Sequence, residues 1–83
     1  MRVYSVNNEI YDGFVEFGNM RLYILLEYSF YYDRNEVLWV GNLALFIDGV
    51  AVHMDKQLQD KMQEMAEALA NDYRVRFVER NFA

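Results

Sequence analysis

The chain has 83 residues, a formal net charge of −5, no Cys and no Pro. That length allows a single domain, 1–83, whose core buries only roughly 60–65% of the unfolded surface. Disulfides and thiolate metal ligands are excluded, a single His argues against a structural zinc site, and the acidic balance argues against direct nucleic-acid binding. Among the usual supports of a small core, oligomerisation or partner binding is the one left.

Taken in chain order, Arg2 to Val6 reads as a short strand and Asp12-Gly13 as a tight turn. Gly18-Asn19 closes a hairpin with Val15 opposite Leu22 and Glu16 opposite Arg21. Met20 to Tyr32 is a long strand, with Leu22, Ile24, Leu26, Tyr28 and Phe30 on one face. Arg21, Tyr23, Leu25, Glu27, Ser29 and Tyr31 lie on the other. A four-residue loop around Asp33, Arg34 and Asn35 would set Tyr28 opposite Trp39 and Phe30 opposite Val37. That places Val37 and Trp39 in one core row with Leu43 and Leu45.

Asp48-Gly49 predicts a two-residue turn that pairs Ile47 with Val50, Leu45 with Val52 and Leu43 with Met54. Asp55 is a good N-cap for a helix over about 56–70, where Leu58, Met62, Met65 and Leu69 form one apolar stripe. Asn71 suits a helix C-terminus, after which Tyr73, Val75 and Phe77 alternate with Arg74 and Arg76 as a final strand would. The fold class is therefore α+β: an antiparallel β-meander of four to six strands, one α-helix packed on one face, and a final strand after the helix. The sheet is either open or curled toward a barrel.

Catalytic signatures are absent. His53 is the only imidazole, the hydroxyl nucleophiles are Ser5 and Ser29, and there is no Gly-rich phosphate loop. We read no enzyme, no cofactor and no metal site. No membrane span or targeting segment is apparent, since the apolar run Leu22–Leu26 is too short, and a cytoplasmic location is expected.

Two surfaces remain. Asp60, Glu64 and Glu67 recur on the helix face opposite the apolar stripe, and Asp72 extends them. They are either a solvated face or an acidic ridge offered to a basic protein. Tyr23, Leu25, Tyr31, Leu38, Val40 and Phe46 are expected on the sheet face away from the helix, where contiguous apolar surface marks an interface. The combination suggests a small acidic protein-binding domain. The reading is a stoichiometric inhibitor or adaptor of phage type, acting on a basic nucleic-acid-processing enzyme through both surfaces. The alternative is a self-associating structural protein whose sheet face forms a homodimer.

Overall fold

The computed structural model describes residues 2–82, with the side chains of Glu79, Asn81 and Phe82 left aside. Four strands are followed by one helix: β1 (Tyr4–Phe17), β2 (Met20–Tyr32), β3 (Val37–Ile47), β4 (Val50–Val52) and α1 (Lys56–Phe82). The strands form one antiparallel sheet in the order β1-β2-β3-β4, with α1 against one face. This is the expected α+β meander at its lower strand number.

Two turns behave as their residues dictate. Gly18, at φ 58°, closes β1 onto β2 with Glu16 opposite Arg21 and Val15 opposite Leu22. Asp48 and Gly49, at φ 52° and 76°, close β3 onto β4 with Ile47 opposite Val50 and Leu45 opposite Val52. Both central residues of this second turn take the left-handed conformation that a type I′ turn needs. The pairing ends at Leu45–Val52, so Leu43 and Met54 are not partners.

Asp12-Gly13 is not a turn. β1 runs straight through it, with Asp12 opposite Leu25 and Gly13 opposite Ile24. An unbroken partner strand pairs with every residue from Glu9 to Phe17, and this outweighs the local turn preference of the dipeptide. The strand expected over Arg2–Val6 is simply the start of β1. Its one irregularity lies between Val6 and Glu9, where Asn8 sits at φ 59° and its N–H donates to Ser29 Oγ at 3.3 Å.

The β2–β3 loop has four residues, 33–36, where the expected register of Phe30 opposite Val37 required 32–35. The buried Asp33 carboxylate holds it by accepting from the N–H groups of Asn35 and Glu36, both at 2.8 Å. The register beyond the loop differs from expectation. Tyr32 pairs with Val37, Tyr31 with Trp39 and Phe30 with Val40, which leaves Leu38 as an extra residue. A second irregularity follows between Ser29–Gly41 and Glu27–Ala44, where Asn42 takes φ 56°. Each extra residue inverts the side-chain alternation. The two together invert only the stretch Trp39–Gly41 and then restore it. Val37, Leu43 and Leu45 therefore pack inward as expected, while Trp39 turns outward and Val40 turns into the core, 8% exposed.

The helix is the largest departure. It does not stop near residue 70, and among the described residues no strand follows it; α1 spans 27 residues, about 40 Å at 1.5 Å per residue. The alternation of Tyr73, Val75 and Phe77 imitates a strand, but Tyr73 and Phe77 are also four apart and continue the helical stripe of Met62, Ala66 and Ala70. No Gly or Pro occurs after Gly49 to interrupt it. Asn71 accepts from Arg74 Nε at 3.2 Å instead of ending the helix, and Arg74 also donates to the Arg34 carbonyl at 2.9 Å. At the other end the expected cap is present: Asp55 Oδ1 accepts from the Leu58 N–H at 2.8 Å.

The core lies between α1 and the middle of the sheet: Ile24, Leu26, Tyr28, Phe30 and Tyr32 of β2, Val40 and Leu45 of β3, and Met62, Ala66 and Ala70 of α1. The two alanines let the helix approach closely. Further along, Tyr73 packs edge-on to Phe30 with ring centroids 5.4 Å apart, and Phe77 meets Tyr4 at 5.3 Å. Met62 is fully buried at the centre of this contact, so Met62→Ala should cost about 2–5 kcal/mol in denaturant unfolding. Glu64→Ala, on the exposed side of the same helix, should stay within about 0.5 kcal/mol.

Candidate functional site

A half-buried strand sends alternate side chains to opposite faces. Since α1 covers only the inner face, the outward set is left to solvent: Ile10, Asp12, Phe14 and Glu16 of β1, Arg21, Tyr23, Leu25, Glu27 and Tyr31 of β2, and Trp39, Ala44 and Phe46 of β3. Phe14 and Tyr23 form an edge-to-face pair at 5.1 Å, with the Arg21 guanidinium 4.4 Å above the Phe14 ring. Leu25 stands between Asp12 and Phe46. Toward the other end Tyr31 packs on Trp39 at 5.2 Å, and the Trp39 indole lies over Gly41 where any Cβ would overlap it.

Phe14, Tyr23, Tyr31 and Trp39 keep between 41% and 53% of their surface exposed. At ~200 Å² per aromatic residue the four rings alone leave roughly 400 Å² of ring surface open. That surface is divided between the Phe14–Tyr23 and Tyr31–Trp39 pairs. Beside the Phe14–Tyr23 pair runs an open groove of about 570 Å³, lined by Ile10, Tyr23, Leu25 and Phe46 together with Asp12, Glu27 and Asp48.

Of the residues expected on this face, Tyr23, Leu25, Tyr31 and Phe46 lie on it. Leu38 is exposed but sits at the bulge, near Glu67 and Asn71 of the helix. Val40 is in the core, because the bulge at Leu38 reverses its direction. Sequence reasoning missed Ile10, Phe14 and Trp39. The first two follow from an Ile10-Asp12-Phe14-Glu16 alternation that the turn reading of Asp12-Gly13 obscured. For Trp39 the one available signal was Gly41 two residues on, a site where a neighbouring ring can lie flat on the backbone.

The acidic helix residues separate into two groups. Asp60, Glu64 and Glu67 project from the exposed side of α1, with Lys56 3.3 Å from Asp60 and Gln63 Nε2 donating to Glu67 at 3.1 Å. The same Gln63 amide donates to the Val40 carbonyl at 2.9 Å, tying the ridge to the β3 backbone. Asp72 lies about a third of a turn away, paired with Arg76. It borders a second groove of about 610 Å³ between β1 and the C-terminal half of α1, with Glu9, Tyr11, Tyr28 and Arg80. The ridge and the aromatic face point in opposite directions, because the helix that carries the first covers the other side of the sheet that carries the second.

Burial raises the phenol pKa values of the core. Tyr28 is pushed up to about 12, by desolvation first and the nearby Glu9 charge second, and Tyr32 is raised chiefly by burial. On the outer face, the hydrogen bond with Asp12 raises Tyr23. His53 is exposed just beyond β4, and Ser29 is buried as the acceptor for Asn8. Among the described residues no three His, Cys, Asp or Glu side chains stand close enough to hold a metal ion. No helix among them is long and apolar enough to cross a membrane.

No family model, curated protein or solved structure matches the chain.

Two outcomes follow from this geometry. Unfolded Tyr28 ionises near 10, and its folded counterpart near 12. Below pH 10 both states are neutral and the burial stabilises in full; between 10 and 12 only the unfolded state loses its proton, so stability falls as pH rises. Unfolding titrations across that window should show the decline, and Tyr28→Phe should flatten it. Gly41→Ala should lift the Trp39 ring into water, read as a red shift in the emission of the sole tryptophan.

Proposed function

We propose that the protein is a cytosolic, non-enzymatic binding module, a stoichiometric inhibitor or adaptor, whose docking surface is the outer face of the sheet. The observation that carries this reading is the exposure of Phe14, Tyr23, Tyr31 and Trp39 on a face that no part of the described chain covers. Interface hot spots are enriched in Trp, Tyr and Arg, and the outer face of this antiparallel sheet presents several aromatic rings side by side.

The acidic ridge supports a second reading. Asp60, Glu64 and Glu67 form an exposed row that could occupy the basic channel of a nucleic-acid-processing enzyme, of the kind phage inhibitors block. Because ridge and aromatic face lie on opposite sides, a single flat interface engages one or the other. Lys56 and Gln63 already satisfy part of the ridge, which favours the sheet face.

Site-specific photo-cross-linking in cells separates the two. A cross-linker at Tyr23 or Tyr31 should yield protein adducts, and one at Glu64 should not. Adducts from Glu64 alone would move the contact to the ridge. Adducts at twice the chain mass would mean that a second copy covers the sheet.

A further inference from the structure

We infer that the groove across the outer sheet face takes an arginine-rich segment of a partner protein, and that a second copy of this chain is not its occupant. This rests on the outer face being the docking surface and names the chemistry it accepts. The uncharged part of the groove's lining is largely apolar: Ile10, Ile24, Leu25 and Phe46, with Tyr23. Every charged residue that lines it is acidic: Asp12 from β1, Glu27 from β2, and Asp48 from the β3–β4 turn. An apolar trough with carboxylates interspersed along its lining complements a side chain with an aliphatic stem and a cationic head.

The arrangement of the acids selects a polypeptide over a single ion. They stand on three different elements and do not converge closely enough to share a metal. Each can therefore meet its own cation as a strand of alternating basic and apolar residues crosses the sheet. Arginine fits better than lysine, because a guanidinium is weakly hydrated, pairs bidentately with carboxylates and stacks on rings. The face already holds one guanidinium this way, with Arg21 4.4 Å above Phe14.

Charge also argues against self-association through this surface. A dimer closing face to face would bring acids toward acids: Asp12, Glu16 and Glu27 point outward on the paired strands, Asp48 lies in the adjoining turn, and Arg21 is the one outward cation on those strands. Burying like charges opposite one another in an apolar interface is unfavourable, which counts against this closure.

The test titrates the intact protein with a peptide of alternating arginine and leucine, followed by amide NMR shifts and by affinity, with a glutamate–leucine peptide as control. Shifts should concentrate at Leu25, Glu27, Phe46 and Gly49, and the control should not bind. The triple variant D12N/E27Q/D48N should lose at least tenfold in affinity, while D60N/E64Q/E67Q changes it less than threefold. If the first triple variant does not fold, Asp12→Asn and Asp48→Asn singly should each weaken binding severalfold. Equal losses in both triple variants, shifts centred on α1, or no binding would overturn the inference. Failure of the peptide alongside intact Tyr23 cross-linking would leave the outer-face reading standing and remove only the basic occupant. A dimeric mass abolished by Tyr23→Glu would assign the face to a second copy and overturn the inference outright.

Discussion

A helix with its side chains is about 10–12 Å across, and neighbouring strands are spaced ~4.8 Å apart. One helix therefore seals about two strands of a sheet, and the described residues hold one helix for four strands. Everything else in the molecule follows from that mismatch of widths. α1 lies over β2 and β3, where Ala66 and Ala70 let it approach and Met62 fills the contact. β1 is left with a partly open inner face along the second groove, and the whole outer face of the sheet is left bare.

The length of the helix compensates within those limits. Continuing to Phe82, it carries Tyr73 and Phe77 onto Phe30, Tyr32 and Tyr4, so an aromatic cluster closes the end of the core that a short helix would leave open. The tie from Arg74 to the Arg34 carbonyl fastens that half of the helix to the β2–β3 loop, and Gln63 does the same for the first half through the Val40 carbonyl. Both bonds reach backbone groups at or beside the loop and the Leu38 bulge, where the sheet ladder is interrupted.

The bulges carry the connection from fold to surface. Without the extra residue at Leu38, Trp39 would be in the core row and Val40 outside; with it, a tryptophan joins the outer face and its ring shields Gly41. The exposed aromatic surface is thus partly a product of register. It also leaves the molecule two-sided: aromatic rings with interspersed carboxylates on one side, a row of helix carboxylates on the other.

What the amino-acid order determined by itself is local. Gly18, Asp48 and Gly49 at positive φ set the Gly18 and Asp48-Gly49 turns, and with them the register of both hairpins. Strict alternation assigned the faces of β2, and Asp55 marked the start of the helix. These effects act over a few residues, so neighbours in sequence are sufficient to read them. What the tertiary structure decided is where two local readings compete. Asp12-Gly13 could turn or extend, and the unbroken pairing of β2 made it extend. Tyr73-Arg74-Val75-Arg76-Phe77 fits period 2 and period 3.6 equally well, and the aromatic cluster around Tyr32 made it helical. Trp39 and Val40 exchanged faces because a single extra residue in the ladder costs little locally yet reverses every side chain until the next one. No spacing within β3 alone reports that reversal; it exists only once β2 lies alongside.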